Sequence, residues 1–263
     1  MPNDALGIEP IRAFDDNYIW LLTREGYGGC AVVDPGDSEP VIETLEGRGL
    51  RLEAILVTHK HGDHVGGIAG LVQHWPGVQV FGPANEPIKR LSHRLGAGDE
   101  VRLDGLGTSF EVLDVPGHTE GHIAYVGEGL LFCGDTLFAC GCGRVFSGTF
   151  EQLSDSLQLL TGLPVDTRCY CAHEYTQDNI GFARWVEPDN PDLQLRAERV
   201  ALQRAAGEPT VPSTLGEEML TNPFVRTTAP AVVAAAQKWA GHALGSPREV
   251  FRALRTWKDT EYD

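Results

Sequence analysis

The 263-residue sequence is poor in basic residues and has no long apolar runs. It carries 21 lysines and arginines against 37 aspartates and glutamates, a net charge of −16. Because contacts to nucleic-acid phosphates need lysine and arginine, this imbalance argues against nucleic acid as a partner. No apolar stretch approaches the ~18 residues of a membrane span, and the first residues lack the basic-then-apolar pattern of a signal peptide. We therefore expect a cytoplasmic protein that binds neither nucleic acid nor membrane. A monomer is our expectation as well, although no sequence feature indicates the oligomeric state.

The sequence also lacks cysteines at the spacing of a zinc-finger site. No two cysteines have the C-x-x-C spacing, which argues against a zinc-finger site. Several cysteines lie in apolar, strand-like runs, so we expect buried, reduced thiols. The six are Cys30, Cys133, Cys140, Cys142, Cys169 and Cys171.

Short apolar runs separated by glycine turns extend from residue 11 to about residue 173, with few helical patterns between them. This predicts an α/β domain with many strands rather than strict strand–helix alternation. The predicted strands are Tyr18–Leu22, Cys30–Val33, Ala54–Val57, Val78–Phe81, Phe110–Asp114, Ile123–Val126, Leu130–Cys133 and Cys169–Cys171. The predicted helices are Pro40–Glu46, Gly67–His74 and Phe150–Leu160.

The sequence becomes helical after Glu174. Asn190 followed by proline predicts a capped helix start, and Gly207 predicts the end of that helix. Ser246–Glu249 has the pattern of a capping box. We therefore predict two domains, residues 1–173 and residues 174–263.

The densest group of metal-binding side chains lies in the segment Thr58–His64, directly after an apolar run. It holds three histidines and one aspartate, whose nitrogen and oxygen atoms suit zinc, iron or manganese. In an extended segment, residues two apart point the same way, so His59 and His61 can converge on one ion. After a bend, Asp63 and His64 can face a second ion.

Three further ligand candidates, His118, Asp135 and His173, each follow an apolar strand. A sheet whose strand ends share one edge would gather them onto the first cluster. Asp34 is either a turn residue or a side chain that orients a ligand histidine. The other four histidines have no comparable context and are assigned no ligand role: His74, His93, His122 and His242.

Thr58–His64 reads Thr-His-x-His-x-Asp-His and resembles the signature of the metallo-β-lactamase superfamily. Within it, nearly the whole chain resembles the hydroxyacylglutathione hydrolases, also called glyoxalase II. The resemblance implies an αββα sandwich followed by a small all-α domain that binds glutathione. The supporting stretches are Asp16–Tyr18, Thr58–Gly67, Pro116–Thr119, Gly134–Phe138, Gly141–Arg144, His173–Thr176, Asn222–Phe224 and Arg255–Asp259.

The resemblance, and not the spacing, implies how the seven ligand candidates divide between two divalent metal ions. Zinc is the first expectation for these ions, with iron and manganese as alternatives. Asp63 and Asp135 also take catalytic roles, the first by orienting the attacking water and the second by bridging the ions. One ion is assigned to His59, His61 and His118, the other to Asp63, His64 and His173, and Asp135 contacts both.

The implied reaction is hydrolysis of the thioester S-D-lactoylglutathione to glutathione and D-lactate, the second step of methylglyoxal detoxification. An acidic protein needs local cations to hold an anionic peptide, and the resemblance implies which basic residues provide them. Phe146 departs from the pattern, because some members carry a tyrosine there. The implied substrate-binding residues are Arg144, Phe146, His173, Tyr175, Arg255 and Lys258.

Several alternatives remain at this point. A mononuclear-iron persulfide dioxygenase of the same fold, or a β-lactam hydrolase, would not need the helical tail with Arg255 and Lys258. A nuclease is disfavoured by the net charge, and a purely binding role would leave the ligand set without a purpose. A solvated helix face is the structural alternative for Arg255 and Lys258. Cys142 is not expected to be a nucleophile, because no sequence feature pairs it with a base.

Overall fold

The computed structural model describes residues 6–262. These residues form two compact units. The first contains residues 6–114 and 121–134, and the second contains residues 115–120 and 135–262. Residues 135–173 thus belong to the same compact unit as the helical tail. The division into functional domains 1–173 and 174–263 stays a prediction.

The first unit contains a six-stranded mixed sheet whose strands lie in chain order. Its first three strands run antiparallel, and the third to sixth run parallel. Parallel pairing aligns the carboxyl ends of the third and fourth strands, where Val33 pairs with Leu56. The strands are β1 (Gly7–Ala13), β2 (Asn17–Thr23), β3 (Gly29–Val33), β4 (Arg51–Leu56), β5 (Gln79–Pro83) and β6 (His93–Leu95).

The first unit also contains four antiparallel strands of a second sheet: β7 (Glu100–Leu103), β8 (Thr108–Asp114), β9 (Ile123–Gly127) and β10 (Leu130–Gly134). A short 3₁₀ turn, Asp104–Leu106, joins β7 to β8. The β9–β10 turn places Glu128 and Gly129 at φ 52° and 73°. Two consecutive positive φ values suit the right-handed twist of a tight hairpin. The Tyr125 hydroxyl in β9 donates to the Val57 carbonyl (2.8 Å), linking the two sheets.

Three helices belong to the first unit: α1 (Glu39–Arg48), α2 (Gly62–Val65) and α3 (Ile68–His74). The first and third bury apolar side chains against the six-stranded sheet, which excludes that surface from water. Their contribution to the core is Val41, Leu45, Ile68 and Leu71, packed with sheet residues that include Ile19, Leu21, Val32 and Ile55.

The second unit is mainly helical. Its short strands are β11 (Leu137–Phe138), β12 (Gly141–Cys142), β13 (Arg168–Cys171) and β14 (Ser213–Thr214). Its helices are α4 (Phe150–Thr161), α5 (Thr176–Val186), α6 (Pro191–Ala205), α7 (Leu215–Thr221), α8 (Pro230–Ala240) and α9 (Pro247–Trp257), the last followed by a π-helical turn, Lys258–Tyr262. Within residues 6–262, no helix is both long and apolar enough to cross a membrane.

All eight predicted strands and all three predicted helices are present, with ends that shift by at most three residues. The strands that sequence patterns missed are mostly short, and β1 contains Pro10. Proline removes a ladder donor, so a proline is unfavourable in the interior of a sheet. It is tolerated because β1 lies at the edge of its sheet.

The helix caps follow the sequence prediction closely, with one correction. Asn190 Oδ1 accepts hydrogen bonds from the backbone of Asp192 (3.0 Å) and Leu193 (3.2 Å). Ser246 Oγ accepts from Glu249 N (3.3 Å), as a capping box requires. However, the Glu249 carboxylate accepts from Gly245 N instead of Ser246 N, so the reciprocal half of the predicted box is wrong.

Gly36 provides a test of how tightly the loop after β3 packs. A Cβ atom built there would lie 1.9 Å from the Asp63 carbonyl oxygen, so we expect Gly36→Ala to lower the free energy of unfolding by about 1–3 kcal/mol. Gly47 in α1 has no atom within 4 Å of its Cβ position, and Gly47→Ala is the control, expected to stabilise by about 0.5–1 kcal/mol. Urea unfolding of both variants measures the difference. Equal stabilities would contradict the close packing at Gly36.

Candidate active site

The first group of donors lies in the first unit, directly after β4. His59 Nε2 is 3.0 Å from His61 Nδ1, and the two rings meet edge to face. His59 is fully buried, whereas His61 is partly exposed. The alternating directions of an extended segment explain this convergence, as the sequence predicted.

Asp34 anchors this group from the neighbouring parallel strand. Its carboxylate accepts from Thr58 N and from Thr58 Oγ1, both at 2.7 Å. Its Oδ2 also lies 3.1 Å from His64 Nδ1. A ring proton on Nδ1 would face this carboxylate and would leave the Nε2 lone pair for an ion. Asp34 therefore combines both predicted roles: it is a turn residue, at φ 52°, and it orients a histidine.

Asp63 and His64 lie in α2, which begins after His61. Asp63 Oδ2 is 3.5 Å from His64 Nε2. The same oxygen accepts a hydrogen bond from Asn17 Nδ2 (3.1 Å), at the start of β2. Asn17 lies in the Asp16–Tyr18 stretch of the family resemblance, but residue patterns alone gave it no role.

His122 is a further buried residue that sequence reasoning missed. Its ring stacks on His59, with centroids 4.6 Å apart and planes 17° apart. A Cβ atom at Gly134 would lie 2.3 Å from Thr58 Oγ1 and 2.9 Å from the His122 ring. Only glycine fits at position 134 without displacing these groups. In the sequence, no local pattern distinguishes His122 from an ordinary histidine.

The second group of donors lies in the second unit and is built around the Asp135 carboxylate. Asp135 Oδ2 is 3.4 Å from His118 Nε2, and Oδ1 is 3.4 Å from His173 Nε2. His118 Nδ1 lies 2.8 Å from the Arg144 carbonyl oxygen. A carbonyl only accepts, so Nδ1 is protonated and the Nε2 lone pair is available to a metal.

The spacing of these atoms suits metal ligation. Two ligand atoms about 2.1 Å from a shared ion, at a tetrahedral angle, lie about 3.4 Å apart. The separations within the two groups run from 3.0 to 3.5 Å. Imidazole nitrogens and carboxylate oxygens are also the donors that zinc, iron and manganese accept. The residues present therefore fit a divalent metal ion.

A cavity of about 410 Å³ adjoins the second group of donors. This volume lies within the range of small-molecule sites. Its wall combines aromatic side chains with three cations and contains most of the predicted substrate-binding residues. The lining residues are His118, Asp135, Phe138, Cys142, Arg144, Phe146, Tyr175, Asp178, Asn179, Arg255 and Lys258.

Arg255 is only 1% exposed, which excludes the alternative of a solvated helix face. Its Nη1 donates to the Cys142 carbonyl (3.1 Å), and its Nη2 and Nε donate to Asp259 Oδ1 (2.8 and 3.1 Å). The guanidinium also lies over the Phe224 ring, 5.2 Å from its centroid. Arg255 thus lines the cavity and also links the Cys142 carbonyl in the cavity wall to Asp259, which follows α9.

Lys258 lies at the start of the π-helical turn and is 5% exposed. Its Nζ is 3.3 Å from Asp178 Oδ2 and lies over the Tyr262 ring. Arg144, with a half-exposed side chain, has its Nε 3.6 Å from Asp259 Oδ1. Each cavity cation thus faces a carboxylate of the same unit.

Aromatic side chains connect the donors to the cavity. Tyr175 stacks on His173, with centroids 4.7 Å apart, and Phe138 meets both rings edge to face. Phe146 is 66% exposed and meets His118 edge to face, while its backbone N donates to the His118 carbonyl (3.0 Å). The backbone contact at this position does not depend on a tyrosine hydroxyl.

All six cysteines are buried free thiols, as expected. Burial raises the pKa of Cys142 to about 11, although the nearby Arg255 charge opposes the rise. Burial likewise raises the pKa of Cys30, Cys140 and Cys171 to about 12. A thiol with so high a pKa is a poor nucleophile at neutral pH.

Comparison with known proteins identifies the class to which this fold and these donors belong. Residues 13–173 match the model of the metallo-β-lactamase superfamily, and residues 174–261 match the model described as hydroxyacylglutathione hydrolase C-terminus. The chain belongs to the hydroxyacylglutathione hydrolase family of that superfamily. The family resemblance of the sequence and the predicted fold class, a metallo-β-lactamase-type α/β fold followed by a helical region, are thereby confirmed.

Individual relatives agree over nearly the whole chain. A hydroxyacylglutathione hydrolase of Photobacterium profundum is 51% identical, covering 97% of this chain and 99% of that protein. One of Alkalilimnicola ehrlichii is 53% identical, covering 96% and 98%. Among solved structures, ETHE1 from Myxococcus xanthus has a TM-score of 0.67 at 23% identity, covering 98% of this chain and 93% of that one, which shows a shared fold alone. TTHA1623 in a di-iron-bound form has a TM-score of 0.57 at 27% identity, covering 82% and 99%.

The raised pKa of Cys142 generates a prediction about its chemical role. At pH 7 roughly one Cys142 in ten thousand is a thiolate, so we expect Cys142→Ala to keep kcat within about twofold of the unaltered protein. Cys30→Ala, which removes another buried thiol, is the control. Steady-state hydrolysis of a glutathione thioester measures both. A loss of more than about 100-fold in the Cys142 variant alone would indicate that the thiol is the nucleophile.

Proposed function

We propose that this chain hydrolyses the thioester of S-(2-hydroxyacyl)glutathiones, with S-D-lactoylglutathione as the substrate and glutathione and D-lactate as the products. The observation that carries the proposal is the placement of Asp135 and His118. Both belong to a donor group spaced for a metal, and both also line a cavity with three cations. The names of the relatives at about 50% identity support the same activity.

We further propose two divalent ions per chain, zinc first, divided as the family resemblance implies. His59, His61 and His118 would hold one ion, and Asp63, His64 and His173 the other, with Asp135 bridging. Ligand-atom separations of 3.0–3.5 Å support metal binding by the neighbouring donors of each unit, and the division between the two ions rests on the family resemblance. The di-iron form of the TTHA1623 relative supports two ions in this fold.

When bound, such ions would supply a Lewis acid for the thioester carbonyl and would lower the pKa of a water molecule toward neutrality. The side chains then have defined tasks. Asp63, held through Oδ2 by Asn17, would orient the water by accepting its hydrogen bond. The leaving group is a thiolate, whose conjugate acid has a pKa of about 8.5, so it departs without a strong general acid.

The cavity cations would hold the peptide part of the substrate. Glutathione carries two carboxylates, and Lys258 and Arg144 present charged groups to the cavity. Tyr175, stacked on His173, would place an aromatic face and a hydroxyl beside the peptide. Burial of Lys258 makes its charge more effective than that of an exposed lysine, because water screens it less.

The alternative of a persulfide dioxygenase is not favoured. The ETHE1 structure shares only the fold, whereas the relatives at about 50% identity over nearly the full length are hydroxyacylglutathione hydrolases. A cytoplasmic location remains our proposal and is supported by six free thiols, since cysteines stay reduced there. The monomeric state stays a prediction.

The direct test is hydrolysis of S-D-lactoylglutathione by the purified protein, followed by the loss of thioester absorbance, with metal content measured on the same sample. Fast turnover with close to two ions per chain is expected. Two bound ions without turnover would mean that another substrate must be sought. A single iron without turnover would redirect the assay to oxygen consumption with glutathione persulfide.

Asp135→Ala tests the bridging assignment. Because one carboxylate faces both His118 and His173, its loss should lower metal content and reduce kcat by at least about 100-fold. Asp166→Ala is the matched control, because Asp166 is an exposed aspartate of the same unit. Metal analysis and turnover are measured together. Full metal occupancy with normal turnover in the Asp135 variant would refute the bridging role.

Lys258→Met tests the role of the cavity cations. We expect KM for the glutathione thioester to rise about tenfold while metal content stays unchanged, because a charged hydrogen bond to a carboxylate is lost. Lys238→Met, at an exposed position on α8, provides the control. If both variants keep the original KM, the cavity does not bind the substrate through Lys258.

A further inference from the structure

A buried charge network lies in the second unit, behind the short hairpin formed by β11 and β12. Arg196 in α6 is 2% exposed, and Glu218 in α7 is fully buried. Arg196 Nη2 donates to Glu218 Oε1 at 2.6 Å, and Nη1 donates to Thr221 Oγ1 at the same distance. Removing two charges from water is costly, so their retention calls for an explanation beyond packing.

The second oxygen of Glu218 is directed to the hairpin. Glu218 Oε2 accepts a hydrogen bond from Cys140 N (2.7 Å) and another from Asn222 Nδ2 (3.0 Å). Asn222 Nδ2 also donates to the carbonyls of Gly141 (2.9 Å) and Phe138 (3.3 Å). The Asn222 amide has two N–H groups for these three acceptors, so one N–H is shared. One carboxylate and one amide therefore contact three backbone groups of the same turn.

The hairpin needs such support, because its turn is strained. Cys140 has φ 59°, a left-handed conformation that glycine adopts readily and cysteine does not. Such residues persist when their surroundings determine them strongly. Asn179 Nδ2 adds a hydrogen bond to the Ala139 carbonyl (3.1 Å), and the Cys140 thiol donates to the Thr221 carbonyl (3.3 Å).

The same hairpin forms part of the cavity wall. Phe138 and Cys142 both line the cavity, and the Cys142 carbonyl accepts the hydrogen bond from Arg255. The charge network therefore reaches the cavity through one rigid turn. Charge-assisted hydrogen bonds are stronger than neutral ones, which suits a contact that must hold a strained backbone.

We propose that the buried Arg196–Glu218 pair, with Asn222, is a positioning device that sets the substrate-binding wall of the cavity through the β11–β12 hairpin. The pair does not contact the substrate. It fixes Phe138 and the Cys142 carbonyl, and through that carbonyl the orientation of Arg255. The effect on substrate binding rests on the proposed glutathione thioesterase function, whereas the effect on the hairpin does not.

Glu218→Gln is the first test, because it keeps the shape of the side chain and removes its charge. KM for S-D-lactoylglutathione and the Kd of glutathione should rise at least about fivefold, with kcat and metal content close to those of the unaltered protein, as expected when only uniform binding is lost. Amide exchange at residues 138–142 should accelerate. Glu187→Gln is the matched control, because Glu187 is also buried and paired with Arg226 (2.9 and 3.0 Å) in the same unit.

A second variant combines Arg196→Met with Glu218→Met and keeps the proposal testable if Glu218→Gln fails to fold. It replaces the ion pair with apolar side chains of similar size, which proteins often tolerate without loss of stability. The proposal requires the folded double variant to show raised KM and faster exchange at residues 138–142. Normal KM and normal exchange in this variant would overturn it, and so would a rise in KM accompanied by loss of metal.

Amide exchange separates the two claims. If the unaltered protein fails to hydrolyse the thioester, the proposed function is refuted. Faster exchange of the hairpin in Glu218→Gln, but not in Glu187→Gln, would still support the positioning of the turn. Equal exchange in the two variants would overturn the positioning role whatever the enzyme's activity.

Discussion

The constraint on which the site depends is that lone-pair donors must be held close together in a buried place. Imidazoles and carboxylates 3.0–3.5 Å apart stabilise one another little until a cation binds between them. Other groups of the protein must therefore orient these side chains through the atoms that do not face the ion. Asp34 does this for His64, and the Arg144 carbonyl does it for His118. The carbonyl fixes the His118 ring proton on Nδ1, and the same tautomer of His64 would face Asp34, which leaves Nε2 of each ring to bind a metal.

The cations of the cavity are likewise held in place by neighbouring groups. The chain is strongly acidic, yet three cations line one wall, each facing a carboxylate of the second unit. Pairing with a carboxylate offsets part of the cost of burying the side chains of Arg255 and Lys258. An anionic peptide would meet cations that are already oriented, so little side-chain entropy would be lost on binding.

Much of the fold and of the candidate site was predictable from local patterns. The eight strongest apolar runs are strands, and Asn190 caps α6 as its position before proline suggested. The closely spaced donors His59 and His61 converge just after β4, as expected for side chains two residues apart in an extended segment. Prediction failed where the local signal conflicted with context: Pro10 lies in an edge strand, and Glu249 bonds Gly245 instead of closing the capping box.

By itself, the sequence determined the donor-rich turn after β4, the helical tail and, through the family resemblance, the role expected of each candidate residue. Only the tertiary structure decided which distant groups meet. Asp135 meets His173, Arg255 reaches a carbonyl 113 residues away, and Glu218 supports a turn 78 residues before it. Local geometry follows from chain stereochemistry, but these contacts follow from the packing of whole elements, which no short pattern encodes.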